Sequence, residues 1–144
     1  MNILIINGPN LNLLGTRETE IYGNSTYKVL VQYIKKYAKV HKVSVKIYQS
    51  NHEGKIIDYI QKHQKKYQAI IINPGAFTHY SYAIRDCLSA YSLKKIEVHL
   101  SNIYEREDFR KVSVIKDVVD MSVVGKGFDS YIEAIDLLLK GEIK

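Results

Sequence analysis

The chain has 144 residues, 46% of them apolar, with 21 basic and 15 acidic side chains and a formal charge of +6. That length and apolar share describe one globular domain, residues 1–144, with room for its own core, and exclude a disordered or fibrous chain. The lone cysteine, Cys87, cannot close an internal disulfide, so a reducing, cytoplasmic location is expected. No apolar run reaches the roughly 18 residues of a membrane span, and the apolar start Met1–Ile6 is too short for a signal peptide.

In chain order, Ile3–Ile6 reads as a buried strand, followed by a polar stretch with Gly8, Gly15 and Gly23 that runs to about Ser25. From Thr26, apolar positions Val29, Leu30, Tyr33, Ile34 and Tyr37 recur at helical spacing. Val43–Tyr48 is a second strand. Ile56, Ile57 and Ile60 mark a second helix entered near Gly54. Ala69–Ile72 is continuous and β-branched, as suits a strand covered on both faces. Ala83, Ile84, Cys87, Leu88 and Tyr91 form the stripe of a third helix, with Arg85 and Asp86 turned away from it toward solvent or another subunit. Ile96–Leu100 is a fourth strand, Val118–Val123 a fifth, and Ile132, Ile135, Leu138 and Leu139 the stripe of a last helix. The alternation predicts an α/β fold of flavodoxin-like outline, a five-stranded parallel sheet with helices on both faces.

In such sheets ligands sit beyond the carboxyl ends of the strands. The segments just after the strands, Asn7–Ser25, Ser50–Gly54, Asn73–His79 and His99–Arg110, hold nearly all the unusual polar chemistry of the chain. A strand-to-helix link usually takes about 2–6 residues; the first is far longer and reads as a lid or binding loop. It has neither a P-loop nor a dinucleotide fingerprint. Arg17 and Tyr22 lie in it, and a guanidinium held close to a phenol favours the phenolate, which can then act as a general base. A surface arginine beside a packing tyrosine is the plainer alternative. On the fourth strand Glu97, His99 and Ser101 alternate and so point to one side. There Glu97 can hold one ring nitrogen of His99 and leave the other as a proton donor, although a satisfied core histidine has the same pattern. Asn73 and Gly75 offer amide groups and close backbone approach. Arg106 and Arg110, one helical turn apart, suit an anion or a hydroxyl-bearing ligand, or are simply solvated charge.

The histidines are scattered, with no zinc-ligand spacing, and no nucleophile elbow occurs, so no metal is expected. Lysines fall where helices are solvated, and nucleic-acid binding rests on net charge alone. A catalytically silent flavodoxin-like binding module remains the other alternative.

Four segments carry a family resemblance: Asn7–Gly23 (NGPNLNLLGTRETEIYG), Asn51–Gly54 (NHEG), Ile72–Asp86 (INPGAFTHYSYAIRD) and Glu97–Arg110 (EVHLSNIYEREDFR). In order and spacing they resemble type II 3-dehydroquinate dehydratase over essentially the whole chain. Thr19 stands where that family often has proline, and Lys116–Asp120 and Gly125–Phe128 depart in detail, but no catalytic position is lost. The resemblance implies a homododecamer of four trimers and no cofactor. It also implies anti elimination of water from 3-dehydroquinate to 3-dehydroshikimate through an enolate, in the shikimate pathway that leads to chorismate and aromatic amino acids. By position, Tyr22 would remove the C2 proton and Arg17 would lower its pKa. Asn10 would stabilise the enolate through a water, and His99, oriented by Glu97, would protonate the departing C1 hydroxyl. Asn73, Leu100 and Ser101 would hold the substrate and its carboxylate, His79 and Arg110 would contact ring hydroxyls, and Asp86 would reach a neighbouring protomer's site. Neither a membrane nor a nucleic acid is implied as a partner.

Overall fold

Four consecutive aliphatic side chains, Ile3–Ile6, have no exposed surface. This requires neighbouring strands on both edges of their own strand and layers on both faces. In the computed structural model, which describes residues 1–16, 18–22 and 24–143, with the backbone alone at Tyr22, β1 (Asn2–Asn7) lies between two parallel neighbours. They are β2 (Ser44–Gln49) and β3 (Ala69–Asn73). β4 (Lys94–His99) joins β3, and β5 (Met121–Val124) joins β4, giving the all-parallel order β2-β1-β3-β4-β5. The winding direction reverses between β1 and β3, which is where such sheets bind ligands. The expected five-stranded, flavodoxin-like architecture is the one observed.

Period-two alternation sorts the strand side chains into two cores. Ile3, Ile5, Ala69, Ile71, Ile96 and Val98 face one layer, made by α2 (Tyr27–Val40) and α5 (Asp129–Lys140). Leu4, Ile6, Ile70 and Ile72 face the other, made by α3 (Glu53–His63) and α4 (Tyr82–Ser89). α1 (Thr19–Tyr22) is a single turn within the first long connection, which also carries a 3-10 turn at Leu11–Leu13. Polar side chains start two of the helices. Thr26 accepts from the Val29 amide at 3.3 Å, and Ser81 from the Ile84 amide at 3.1 Å, each satisfying a donor the helix leaves orphaned.

Three expectations shift in detail. The fifth strand begins at Met121 rather than Val118; Val118 and Val119 lie in a turn and pack against the α3/α4 core. In α2 the buried stripe is Leu30, Ile34 and Ala38, while Val29 and Tyr33 are exposed. In α5 it is Tyr131, Ala134, Ile135 and Leu138, so the stripe is entered one residue before Ile132, and Leu139 is exposed. In both helices apolar side chains on the rim, Val29 and Tyr33 in α2 and Leu139 in α5, read as core by composition, and the buried alanines Ala38 and Ala134 do not.

Ile71 lies on the central strands with no exposed surface. Ile71→Ala is expected to cost about 2–5 kcal/mol, read as a lower midpoint of urea unfolding.

Candidate active site

The ends of β1 and β3 are locked together before any functional side chain is placed. The Gly8 amide donates to the Asn73 carbonyl at 2.8 Å. A Cβ on Gly8 would lie 2.3 Å from the Pro74 carbonyl oxygen, and one on Gly75, at φ +59, would lie 3.0 Å from that of Pro9. Only glycine permits this backbone-on-backbone contact. From it the first loop leaves through Asn10, which sits in the left-handed region at φ 69, a conformation asparagine tolerates. The Asn10 amide donates to Asn51 Oδ1 at 3.0 Å, and Gln49 Nε2 donates to the same oxygen at 3.0 Å and to the Gly8 carbonyl at 3.1 Å. The end of β2 thus holds the loop in place.

On β4, Glu97 follows the parity of Lys95 and points away from the α2/α5 layer. It is 1% exposed and takes donors from several sides. His99 Nε2 lies 2.6 Å from Oε1, Ser113 donates at 3.1 and 2.8 Å to the two oxygens, and Ser122 donates at 3.5 Å. The Thr78 hydroxyl also donates to Oε1. Burial pushes the carboxyl up, but His99, Thr78 and Ser113 together outweigh it, and Glu97 lies below its ordinary range. A carboxylate accepts, so Nε2 of His99 carries a proton and Nδ1 is left for the adjoining pocket.

That pocket lies over the ends of β1, β3 and β4 and is lined by Asn10, Asn73, His79, His99, Leu100, Ser101, Arg106 and Arg110 among others. His79 Nδ1 lies 2.7 Å from the Val112 carbonyl, which can only accept, so this ring carries its proton on Nδ1. Burial pushes the His79 imidazole down against the pull of that carbonyl. Neutral His79 therefore offers Nε2 as an acceptor, suited to a ligand hydroxyl. Arg110 is bonded through Nε to Glu107 at 2.7 Å, and its guanidinium lies 4.8 Å from the Phe109 ring centre. Arg106 lies 3.6 Å from Glu18 and 3.9 Å from Glu107. The two arginines are not on one helix. Arg106 ends the 3-10 turn Ile103–Glu105, and Arg110 belongs to the next, Asp108–Lys111. They still converge on the pocket, because the intervening chain folds back.

The structure therefore brings together Asn10, Asn73, His79, Glu97, His99, Leu100, Ser101 and Arg110. Asp86 is not among the lining residues. It is exposed on α4, in contact with Arg85 at 3.1 Å, while Arg85 also reaches Asp117. Arg17 and the Tyr22 side chain lie outside the described residues. Sequence reasoning missed the hydroxyls of Thr78, Ser113 and Ser122, which ligate Glu97 from three separate segments. Thr78 had a signal in its place beside His79, whereas Ser113 and Ser122 had none. Cys87 is buried and its thiol is pushed up by burial, in keeping with an inert packing role. Among the described residues no group of three or more potential metal ligands converges, and no helix is long and apolar enough to cross a membrane.

The sequence profile of the family described as dehydroquinase class II matches residues 1–139. The chain belongs to the class II dehydroquinase family. With that membership it is a dehydratase of the hydro-lyase class. Within the family it is 50% identical to the 3-dehydroquinate dehydratase of Thermotoga neapolitana over 140 residues, covering 97% of this chain and 95% of that one. It is 49% identical to the enzyme of the same name from Lachnoclostridium phytofermentans, with 99% of both chains covered. Among solved structures, the type II dehydroquinase of Butyrivibrio crossotus superposes with a TM-score of 0.94 at 56% identity, over 96% of this chain and 97% of that one. The type II dehydroquinase of Propionibacterium acnes gives 0.93 at 36% identity, over 96% of each chain. In this dehydroquinase, three of the four segments that carry the resemblance contribute residues to the pocket lining, and the Asn51–Gly54 segment holds Asn10 through Asn51.

The buried glutamate gives the fold a pH dependence of definite sign. Its folded pKa lies below its ordinary value of 4.5, so its contribution is complete above that value and is lost as pH falls through the folded pKa. Urea midpoints measured from pH 7 downward are expected to fall once the pH passes below 4.5. Glu97→Gln is expected to start lower at pH 7 and to decline less steeply over that window. Parallel curves for the two proteins would refute this account of Glu97.

Proposed function

We propose that the chain carries out its family's reaction, dehydration of 3-dehydroquinate to 3-dehydroshikimate in the shikimate pathway, as an anti elimination through an enolate. The observation that carries the proposal is the Glu97–His99 pair, buried on β4 and opening through the second ring nitrogen onto a pocket that also contains Asn10, Asn73, Ser101 and Arg110. A proton next to a ketone is weakly acidic, and hydroxide is a poor leaving group. The reaction therefore needs a base on one side of the ring, stabilisation of the enolate oxygen, and an acid on the other side.

In this reading His99 is the acid. Glu97 holds its ring by accepting from Nε2, and a proton on Nδ1 passes to the departing C1 hydroxyl as water leaves. Tyr22 is the base at C2, and Arg17 makes its phenolate accessible near neutral pH. Asn10 acts on the enolate oxygen through a water. Asn73 and the backbone of Leu100 and Ser101 hold the substrate and its carboxylate. His79, with Nε2 as acceptor, and Arg110 take the ring hydroxyls. No cofactor is assigned a part. A base on the long first loop and an acid on a rigid strand suit a site that opens for substrate and closes against water.

We also propose a cytoplasmic homododecamer of four trimers, with Asp86 reaching a neighbouring protomer's site. Its support is that Asp86 stands exposed on α4 outside its own chain's pocket, near Tyr82, which is also exposed.

The decisive assay adds 3-dehydroquinate to the purified protein and follows ultraviolet absorbance, because the product is a conjugated enone. Steady growth of that absorbance is expected, and a flat trace with folded protein would overturn the proposal. Tyr22→Phe and His99→Ala are each expected to lower kcat by about 10²–10⁴-fold while substrate still binds. Arg17→Ala is expected to displace the basic half of the Tyr22-dependent pH–rate profile, and an unmoved profile would remove Arg17 from its role. Asp86→Ala is expected to lower activity and the sedimentation coefficient together.

A further inference from the structure

Beneath the pocket, on the α2/α5 side of the sheet, four buried or half-buried side chains form a line of hydrogen bonds. The Gly75 amide donates to Asn73 Oδ1 at 3.2 Å, and Asn73 Nδ2 donates to the Tyr131 hydroxyl oxygen at 3.1 Å. The Tyr131 hydroxyl donates to Asn7 Oδ1 at 2.6 Å, and Asn7 Nδ2 donates to the Tyr27 hydroxyl oxygen at 3.3 Å. The direction of the line is set at its first member. A backbone N–H can only donate, so Asn73 must turn its oxygen to Gly75 and its amino group to Tyr131. Tyr131, having accepted there, has a single proton and spends it on Asn7. Burial pushes its phenol up, so that proton is kept. Strand parity explains the line-up. Asn7 continues the Ile3, Ile5 series and Asn73 the Ala69, Ile71 series, they are register partners, and both face α5.

We infer that Tyr131 is a positioning residue for the substrate, fixing the Asn73 amide from helix α5 so that its remaining Nδ2 proton is presented to the pocket. Tyr131 itself is fully buried and does not line the pocket, so any effect on substrate passes through Asn73. Without the Tyr131 hydroxyl, Gly75 still fixes which end of the amide is oxygen, but the amino group loses the acceptor that holds one Nδ2 proton, and its other proton is no longer aimed at one place. The inference rests on the proposed contact between Asn73 and substrate.

The test is a double-mutant cycle with 3-dehydroquinate. Tyr131→Phe keeps the ring and removes the hydroxyl. It is expected to raise KM about tenfold, as suits one misplaced hydrogen bond, while kcat changes less than about threefold, because the lost interaction serves ground and transition states alike. Asn73→Ala is expected to raise KM by itself, and adding Tyr131→Phe to it should change KM no further. An unchanged KM in Tyr131→Phe, or an undiminished effect in the Asn73→Ala background, would overturn the inference. Asn73→Ala with normal KM would instead overturn the Asn73–substrate contact on which it rests. Leu138→Ala, in the same helix and the same core, controls for loosening of α5. It is expected to lower the unfolding midpoint and leave KM alone, and a KM rise equal to that of Tyr131→Phe would also overturn the inference. Should Tyr131→Phe not fold, Asn7→Ala removes the acceptor that orients the Tyr131 hydroxyl, and the same cycle and limits apply to it.

Discussion

The constraint on which the rest depends is alternation along strands that are covered on both faces. β1, β3 and β4 are buried almost throughout; β1 and β3 have apolar runs that end in asparagine at the carboxyl end, and β4 alternates Ile96 and Val98 with Glu97 and His99. The parity that sorts isoleucines into two cores continues into those last residues. It turns Asn7 and Asn73 toward α5, and Glu97 and His99 toward the opposite layer. The pocket lies over strand ends whose polar side chains run down both sides of the sheet. A one-residue slip of β4 would exchange the glutamate and histidine with isoleucine, valine or leucine and would empty one side of its chemistry.

Burying a carboxylate is costly, and the structure offsets that cost locally. Glu97 takes donors from the 3-10 turn after β3, from the segment before β5 and from β5 itself, as well as from His99 two residues along its own strand. Removing one member of such a group leaves a charge or a donor stranded, at a cost of about 3–5 kcal/mol for a buried pair. The segment around Ser113 is tied to the same place twice more. The Val114 amide donates to the Thr78 carbonyl, and the Val112 carbonyl accepts from His79. One short stretch therefore supports both histidines of the pocket. The two rings share a support but differ in charge logic, one beside an anion and the other kept neutral by burial.

Most of the fold was legible in the sequence, because parallel strands buried on both faces leave uninterrupted β-branched runs such as Ala69–Ile72, and amphipathic helices leave stripes between them. The start of β5 was not. Val118 and Val119 are as apolar as strand residues but pack from a turn, and composition does not separate the two cases. In the site, Glu97 and His99 were legible from spacing alone, since two residues on one strand face must meet. Asn7, Thr78, Ser113 and Tyr131 were not singled out, because their partners lie on other elements and no local spacing encodes them. Tyr131 in particular resembles any core aromatic until its hydroxyl is seen between two asparagines.

The contact between the Gly8 and Pro74 backbones has a consequence for how such a sequence can drift. A methyl group at position 8 has nowhere to go unless the neighbouring turn moves away, and that turn is itself held by a second side-chain-free position, Gly75, against Pro9. Neither spot can accept a larger residue alone, and a compensating change would have to reshape both turns in the same step. Lineages that keep this architecture should therefore show the two spots frozen as a pair, while the helical surfaces a few ångströms away diverge freely.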